Sequence, residues 1–580
     1  MDYRKNYQEW LENVSAHHKA ELVALADNDK ELQERFTIPL AFGTAGMRGT
    51  IALGISNMNE YTVARATQGL AAYIATLGAV AKARGVVVSY DTRNMSFEFA
   101  LETAKVLSAN DIKVYLFENV RPVPLCSFAV RELNCVAGVM ITASHNPKEY
   151  NGYKVYGEDG AQMSPEATAI IVQFIEKISY FGVKKASLNV SEQKQIAHAD
   201  NLNLDKNITV IGASLDEKYY SALDKLALSS DAVKKVGKDI KIVYTPLHGS
   251  GYVPVTAMLA RMNIAVNVVE EQRLPDGNFP TVAVPNPEQP DALSLGIALA
   301  NKLGSDIVIG TDPDCDRMGV AIRDDKNEFV LLNGNQIGSM LMDYVLMRNT
   351  QNGTMPTNPA VVKTIVTTKF ANEIAKKYNT TVFDVLTGFK FIGEKIKEWE
   401  ENGKYTFMFG FEESYGYLCG THARDKDAVV SAMLFAEMAC YYTDHKITLF
   451  DKLQQLFDEN GYFVETSKSF TFKGLDGMDK MSEIMRKFCD GNLVDIAGCK
   501  VASKINLNLG VETFADGHQE KVDLPATNVI KYTLNAKEWV CVRPSGTEPK
   551  IKIYVSVCAD SMANAKEKSA RLIAALEKLI

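Results

Sequence analysis

The stretch DIVIGTDPDCDRMG, residues 306–319, reads as a buried β-strand that runs directly into an acidic loop. Ile307, Val308 and Ile309 make a β-branched run too short for a helix, and Gly310 bounds it. Beyond it Asp312, Asp314 and Asp316 alternate, so an extended turn can aim three carboxylates at one point. Open α/β folds place ligands at the carboxyl ends of their strands, and an all-oxygen set suits a hard cation such as Mg²⁺. A solvated acidic turn is the plainer alternative. The same strand pattern recurs outward in GVVVSY from Gly85, KIVYTP from Lys241 and AVVKTIVTT from Ala360. Between the strands, Leu70, Tyr73, Ile74 and Leu77 give a helical stripe, and the segment from Leu215 to Leu226 gives another. This alternation predicts α/β domains with largely parallel or mixed sheets. The last part of the chain mixes strand-like KINLNL and IKIYVSV with a helix from Ala563, which predicts a separate α+β domain.

At 580 residues the chain is too long for one core, and about four domains are expected. Hydrophobic residues at 46% and charged residues at 23% are the balance of a folded globular protein. A net charge of -8 excludes the global basic field of a nucleic-acid binder, so an anionic substrate needs a local basic pocket. The nine cysteines are scattered without a CxxC pair, which fits reduced thiols in the cytoplasm. The N-terminal segment places Tyr3, Tyr7, Trp10, Leu11 and Val14 on one helical face and reads as a docked amphipathic helix rather than a signal peptide. The longest apolar stretch, from Ala428, is too short to span a bilayer and contains Glu437, so no membrane association is expected. Residues 119–126, 273–290 and 348–360 interrupt the periodic pattern with Pro, Gly and Asn.

Five further segments carry chemistry. In VMITASHNPKEYNGYKVYG, residues 139–157, a strand–loop–strand concentrates Ser144, His145 and Asn146 before Pro147, with Lys154 ten residues past the serine. No nucleophile elbow surrounds Ser144, but phosphoryl transfer depends on positioning and charge neutralisation, and a loop serine facing a cation and lysines suffices. RPSGTEPK from Arg543 puts Arg543, Ser545, Gly546 and Thr547 in one turn that can grip a phosphate, or is an ordinary Pro/Gly turn. FGTAGMRG from Phe42 is a second glycine-rich loop, with Arg48. GFEESYGY from Gly410 offers Glu412, Glu413 and Ser414 to sugar hydroxyls, or to solvent. TGFKFIG from Thr387 sets Lys390 between aromatic residues, where partial desolvation can lower its pKa toward proton transfer.

In this order, FGTAGMRG, TASHNPKEYNGYKVY, GTDPDCDR, GFEES and RPSGTEPK resemble the signature loops of the α-D-phosphohexomutases across nearly the whole chain. The resemblance implies three related α/β domains with mixed sheets and a fourth, α+β domain resembling the TATA-binding-protein fold, with one active site at their junction. Boundaries are expected near residues 205, 326 and 455. It implies a phosphoryl group on Ser144, with His145 beside it, and one Mg²⁺ held by Asp312, Asp314, Asp316 and that phosphoserine. Arg48 and Arg317 would neutralise the phosphoserine side, and Lys154 and Lys390 would be general acid and base. Glu412 and Ser414 would read the sugar, and Arg543, Ser545, Gly546 and Thr547 would hold the non-reacting phosphate. The expected activity interconverts glucose 1-phosphate and glucose 6-phosphate through glucose 1,6-bisphosphate, which serves as intermediate and activator. Phe411 stands where the family's hexose loop usually has glycine, as in the branch resembling phosphoglucomutase and phosphopentomutase. Ribose or mannose phosphates are therefore alternative substrates, and a silent sugar-phosphate-binding protein is the alternative outside enzymes. Nothing in the residues sets an oligomeric state.

Overall fold

The computed structural model describes residues 2–43, 46–188, 200, 202–472, 477–491, 493–544 and 550–580. The chain divides into two compact units. One holds Met1–Asn333, Ile392–Asn402 and Ser414–Lys446; the other holds Gly334–Phe391, Gly403–Glu413 and Ile447–Ile580.

The first unit contains two sheets of the same design. In the first sheet, Val86–Tyr90 pairs in parallel with Val114–Phe117 on one side and Ala137–Ile141 on the other. Ala137–Ile141 then pairs antiparallel with Tyr150–Gly157, which pairs antiparallel with Gly46–Thr50. In the second sheet, Ile242–Thr245 is flanked in parallel by Val266–Val268 and Ile307–Thr311, and the latter pairs antiparallel with Met318–Arg323. Ser144 and the three aspartates therefore occupy equivalent places: each follows the parallel strand that hands over to an antiparallel one. The inner strands are buried on both faces, which is why Val86–Tyr90 and Ile307–Thr311 read as unbroken apolar runs.

Ile208–Ile211 adds to the edge of the first sheet, parallel to Val114–Phe117. In the second unit Pro359–Thr364 lies parallel to Thr381–Val385 and Thr406–Glu412, so Glu412 ends the strand equivalent to those that precede Ser144 and Asp312. The C-terminal part of this unit is a seven-stranded antiparallel sheet backed by Gly477–Asp490 and Met562–Glu577, the expected α+β arrangement.

Trp10 is 1% exposed and meets Phe36, Tyr61, Tyr180 and Phe181, so the N-terminal helix Tyr3–Asn13 docks by the predicted face. Ala428–Asp444 is a buried core helix; the Glu437 carboxylate inside it accepts the backbone N–H groups of Leu228 and Ser229. Among the described residues no helix is long and apolar enough to cross a membrane. Two expected breaks are partly helical: Val123–Glu132 begins inside the first, and Gly334–Asn352 extends into the third. Pro124 is tolerated because the first turn of a helix has no partner for its N–H.

Candidate active site

Ala137–Ile141 ends at Thr142, and the chain then turns sharply because Ser144 takes a left-handed backbone conformation, φ 53°. Thr142 holds that turn: its Oγ1 accepts the Ser144 N–H at 2.8 Å and donates to Asp314 Oδ2 at 3.1 Å. Ser144 is 3% exposed, and its Oγ donates to Asp312 Oδ2 at 2.8 Å. The His145 Nδ1 lies 3.2 Å from Ser144 Oγ. Burial, reinforced by the charges of Arg317 and Arg48, pushes the His145 imidazole well below its ordinary pKa, so it is neutral.

The aspartate loop is built to match. Asp312 Oδ1 accepts the N–H groups of Asp316 and Arg317 at 3.1 and 3.0 Å, and a left-handed Cys315 turns the chain between Asp314 and Asp316. The three carboxylates are buried, and each offers an oxygen within 4.8 Å of the others. Asp314 Oδ1 and Asp316 Oδ1 are buried without a hydrogen-bond partner. Burial and the neighbouring carboxylates push Asp312 well above the usual range and Asp316 upward. Burial pushes Asp314 the same way but is outweighed by the Lys154 ammonium beside it, which draws this carboxyl below the usual range. Crowded, partly orphaned carboxylate oxygens are what a hard divalent cation relieves, so the donor set fits Mg²⁺.

Cations surround the acids. Lys154 Nζ donates to Asp314 Oδ2 at 2.9 Å and stands 3.5 Å from Asp316 Oδ2; burial lowers its pKa, but these two carboxylates outweigh it and hold it charged. Lys426 Nζ lies 3.1 Å from Asp316 Oδ2 and 2.9 Å from Asp425 Oδ1. Asp425 accepts in turn from the Tyr156 hydroxyl at 2.9 Å. Arg48 donates to Asn146 Oδ1 at 3.0 Å, next to the serine loop. Arg317 donates to Glu288 at 2.7 Å and stands 3.9 Å from Asp316. Behind the aspartate loop, Ser250 N–H and Oγ both donate to the Pro313 carbonyl at 2.8 Å. The turn that delivers Ser250 passes through left-handed Leu247 and His248 and brings Gly249 against Pro313.

Ser144, His145, Lys154, Arg48, Arg317 and the three aspartates thus come together in the first unit. Lys390, Glu412 and Arg543 belong to the second. There Glu412 Oε1 accepts the Gly388 N–H at 2.8 Å, which joins the TGFKFIG and GFEES segments. Lys390 is buried, its ammonium 4.8 Å from the Phe391 ring centre. Glu413 accepts from the hydroxyls of Thr364 and Thr367 at 3.1 Å each, so it braces the strand end instead of facing solvent. Arg543 is half-buried at the end of Trp539–Pro544. Ser545, Gly546 and Thr547 lie outside the described residues. Ser414 is half-buried in the first unit. Phe411 is fully buried and packs on Gly338, where an added Cβ would lie 2.1 Å from its ring. The bulk that replaces the usual glycine therefore goes into the core.

Models described as phosphoglucomutase/phosphomannomutase alpha/beta/alpha domains I, II and III match residues 39–181, 217–326 and 333–459. The chain belongs to the phosphoglucomutase/phosphomannomutase family. It is 36% identical over 550 residues to a phosphoglucomutase of Staphylococcus saprophyticus, covering 94% of this chain and 96% of that one. It is 38% identical over 534 residues to a phosphoglucomutase of Staphylococcus epidermidis, covering 92% and 93%. In fold it is similar to the open form of parafusin, a phosphoglucomutase of Paramecium, with a TM-score of 0.67, 18% identity, and 93% and 95% of the chains covered. A phosphoglucomutase/phosphomannomutase family protein of Burkholderia thailandensis gives a TM-score of 0.65 at 15% identity, with 93% and 96% covered.

Lys426, Asp425 and Thr142 belong to the site although sequence reasoning did not single them out. Lys426 had a signal: the dense run RDKD, residues 424–427, between the strand Gly416–Cys419 and the largely apolar helix Ala428–Asp444.

Proposed function

We propose that this phosphohexomutase interconverts glucose 1-phosphate and glucose 6-phosphate with Ser144 as the phosphoryl carrier. The observation that carries this reading is the Ser144 hydroxyl, buried and hydrogen-bonded to a three-aspartate cluster that lysine and arginine surround. Asp312, Asp314 and Asp316, with the phosphate on Ser144, would hold one Mg²⁺. When bound, that cation supplies charge neutralisation at the transferring phosphoryl group. The remainder falls to the chain. Phosphoserine passes its phosphoryl to the free hydroxyl of the substrate: the Oγ–P bond breaks, the new O–P bond forms, and the hydroxyl proton leaves to a base. Lys154, held protonated by Asp314 and Asp316, suits the acid that returns a proton to Ser144 Oγ; Lys390 is the candidate base. The product, glucose 1,6-bisphosphate, then turns around and returns its other phosphoryl group to Ser144 by the same steps reversed. It serves as intermediate and, by phosphorylating the resting enzyme, as activator.

Arg48 and Arg317 would balance the phosphoserine charge, Glu412 and Ser414 would read the sugar hydroxyls, and Arg543, Ser545, Gly546 and Thr547 would hold the distal phosphate in both orientations. Burial of Phe411 in the core supports a hexose, because its bulk does not replace the sugar-reading groups. Nine unbridged cysteines and a sugar-phosphate substrate favour the cytoplasm. The test is the intact mass of purified protein: a species one phosphoryl group heavier, discharged by glucose 1-phosphate and absent from Ser144→Ala, is expected. Turnover surviving in Ser144→Ala would reject the reading, and a higher specificity constant for ribose 1-phosphate would reject the glucose assignment.

A further inference from the structure

Arg93 sits three residues past the end of Val86–Tyr90, in the segment Asp91-Thr92-Arg93. Asp91 Oδ1 accepts the Arg93 N–H at 2.9 Å and the Ser96 hydroxyl at 2.7 Å, which folds the chain into a tight turn. The guanidinium is fully buried, with Nε 3.4 Å from Asp91 Oδ2. Its fork is spent almost entirely on the backbone of the serine loop. Nη1 donates to the carbonyls of Pro147 and Tyr150 at 2.9 and 3.1 Å. Nη2 donates to the carbonyls of Ser144 and Asn146. Four carbonyl oxygens of one seven-residue turn thus converge on one side chain.

The other side of Arg93 faces the second sheet's domain. The Phe279 ring centre lies 5.1 Å from the guanidinium carbon, and Phe279 is buried in a left-handed conformation. Next to it, Gly277 approaches so closely that a Cβ would stand 2.4 Å from the Asn94 N, and Asn94 donates to Asn278 at 3.1 Å. Arg93 is therefore clamped between the loop that carries Ser144 and a loop of the domain that carries the three aspartates.

We infer that Arg93 is a positioning residue for phosphoryl transfer. It holds the Ser144 loop in the strained conformation that keeps Oγ on Asp312, and it fixes that loop against the domain bearing the aspartates. A turn with a left-handed serine relaxes unless its surroundings over-determine it. Four charge-assisted bonds from one rigid fork do so, and a lysine cannot match them because its donors radiate from a single point. Arg93 is buried beneath the loop, so its effect passes through Ser144. The inference rests on the proposed role of Ser144 as phosphoryl carrier.

The test compares Arg93→Lys and Arg93→Met with the parent protein. Circular dichroism and thermal unfolding verify the fold, Mg²⁺ binding is followed by calorimetry, and kcat and KM are measured for glucose 1-phosphate. A misplaced nucleophile costs turnover more than binding, so kcat is expected to fall by about 10- to 100-fold in Arg93→Lys. The KM for glucose 1-phosphate and the Mg²⁺ affinity of the dephosphorylated protein are expected to stay within about twofold, since Arg93 touches neither the substrate nor the aspartates. Discharge of pre-phosphorylated Arg93→Lys by glucose 1-phosphate should slow by the same factor as kcat. A folded Arg93→Lys with parental kcat, or a loss confined to KM, would overturn the inference. Failure of both variants to fold would also overturn it, because Arg93 would then serve the fold and not the transfer. Ser144→Ala run in parallel separates the two ideas: turnover surviving there rejects the carrier, whereas a dead Ser144→Ala beside a normal Arg93→Lys rejects only the role of Arg93.

Discussion

Gly249→Ala tests whether the aspartate loop is held in place from behind. The added Cβ would stand 2.5 Å from Pro313 Cα, 2.8 Å from the Pro246 carbonyl and 2.9 Å from the Pro313 carbonyl. All three are backbone atoms, so none can swing aside as the end of a side chain can. Relief to ordinary contact at 3.4 Å requires a shift of roughly 0.9 Å in Pro313, the residue between Asp312 and Asp314. Overpacking of this kind costs about 1–3 kcal/mol of stability. The two Ser250 bonds to the Pro313 carbonyl tie the shifted peptide to the turn, so the strain passes into the carboxylates instead of dissipating. Disturbing the support of metal ligands lowers affinity roughly 10- to 100-fold, and the Mg²⁺ concentration for half-maximal turnover should rise by that factor. Turnover titrated with Mg²⁺, with thermal unfolding of the same samples, reads both effects. A folded variant with parental Mg²⁺ dependence would show that the turn at Gly249 does not set the carboxylates.

Asp314→Asn removes the charge facing Lys154 and one cation ligand; a folded protein with weakened Mg²⁺ dependence is expected, read by titrating turnover with the metal, and a parental rate after chelation would contradict the cluster's role. Lys390→Met should lower kcat by about 10²- to 10⁴-fold with a smaller change in KM; an effect on KM alone would reassign Lys390 to binding. In the second unit, burial lowers the Lys531 pKa to about 7 and that of Lys363 to about 8, and raises that of Glu465 to about 7. Between about pH 7 and 10.5 the unfolded lysines keep protons that the folded ones release, so these groups make stability rise with pH in that window. Glu465 acts oppositely between about pH 4.5 and 7, where the folded carboxyl keeps a proton that the unfolded one releases. Lys531→Met should flatten the rise above pH 7 in denaturant unfolding, and an unchanged slope would show that Lys531 is not buried as a free amine.

The parts of the site that were legible in sequence are those where one strand delivers its own chemistry. Ile307–Thr311 leads straight to Asp312, and Ala137–Ile141 to Ser144, so a local run of residues states both the strand and its cargo. Lys426 and Arg93 were not legible in that way, because their meaning depends on partners 110 residues before Lys426 and 51 residues beyond Arg93. The strand Ile208–Ile211 escaped the sequence reading for a related reason. A short parallel strand carries no hairpin signal, and only its register with Val114–Phe117 assigns it. The helix Val123–Glu132 was hidden by prolines that break helices in their interior but not in their first turn. Phe411 looked like a substrate-loop substitution until its ring was found on Gly338, a contact across 73 residues of chain.

The left-handed backbone at Ser144 limits which amino acid could bear the proposed phosphate. A threonine hydroxyl would serve the chemistry, but a β-branched side chain crowds the backbone at φ near 53°, where serine is merely uncommon. Asparagine and glycine tolerate the angle and offer no hydroxyl. The identity of the proposed phosphoryl carrier is thus selected jointly by an oxygen that must be present and a methyl group that must not be, and of the two hydroxyl side chains on tetrahedral carbon only serine meets both conditions.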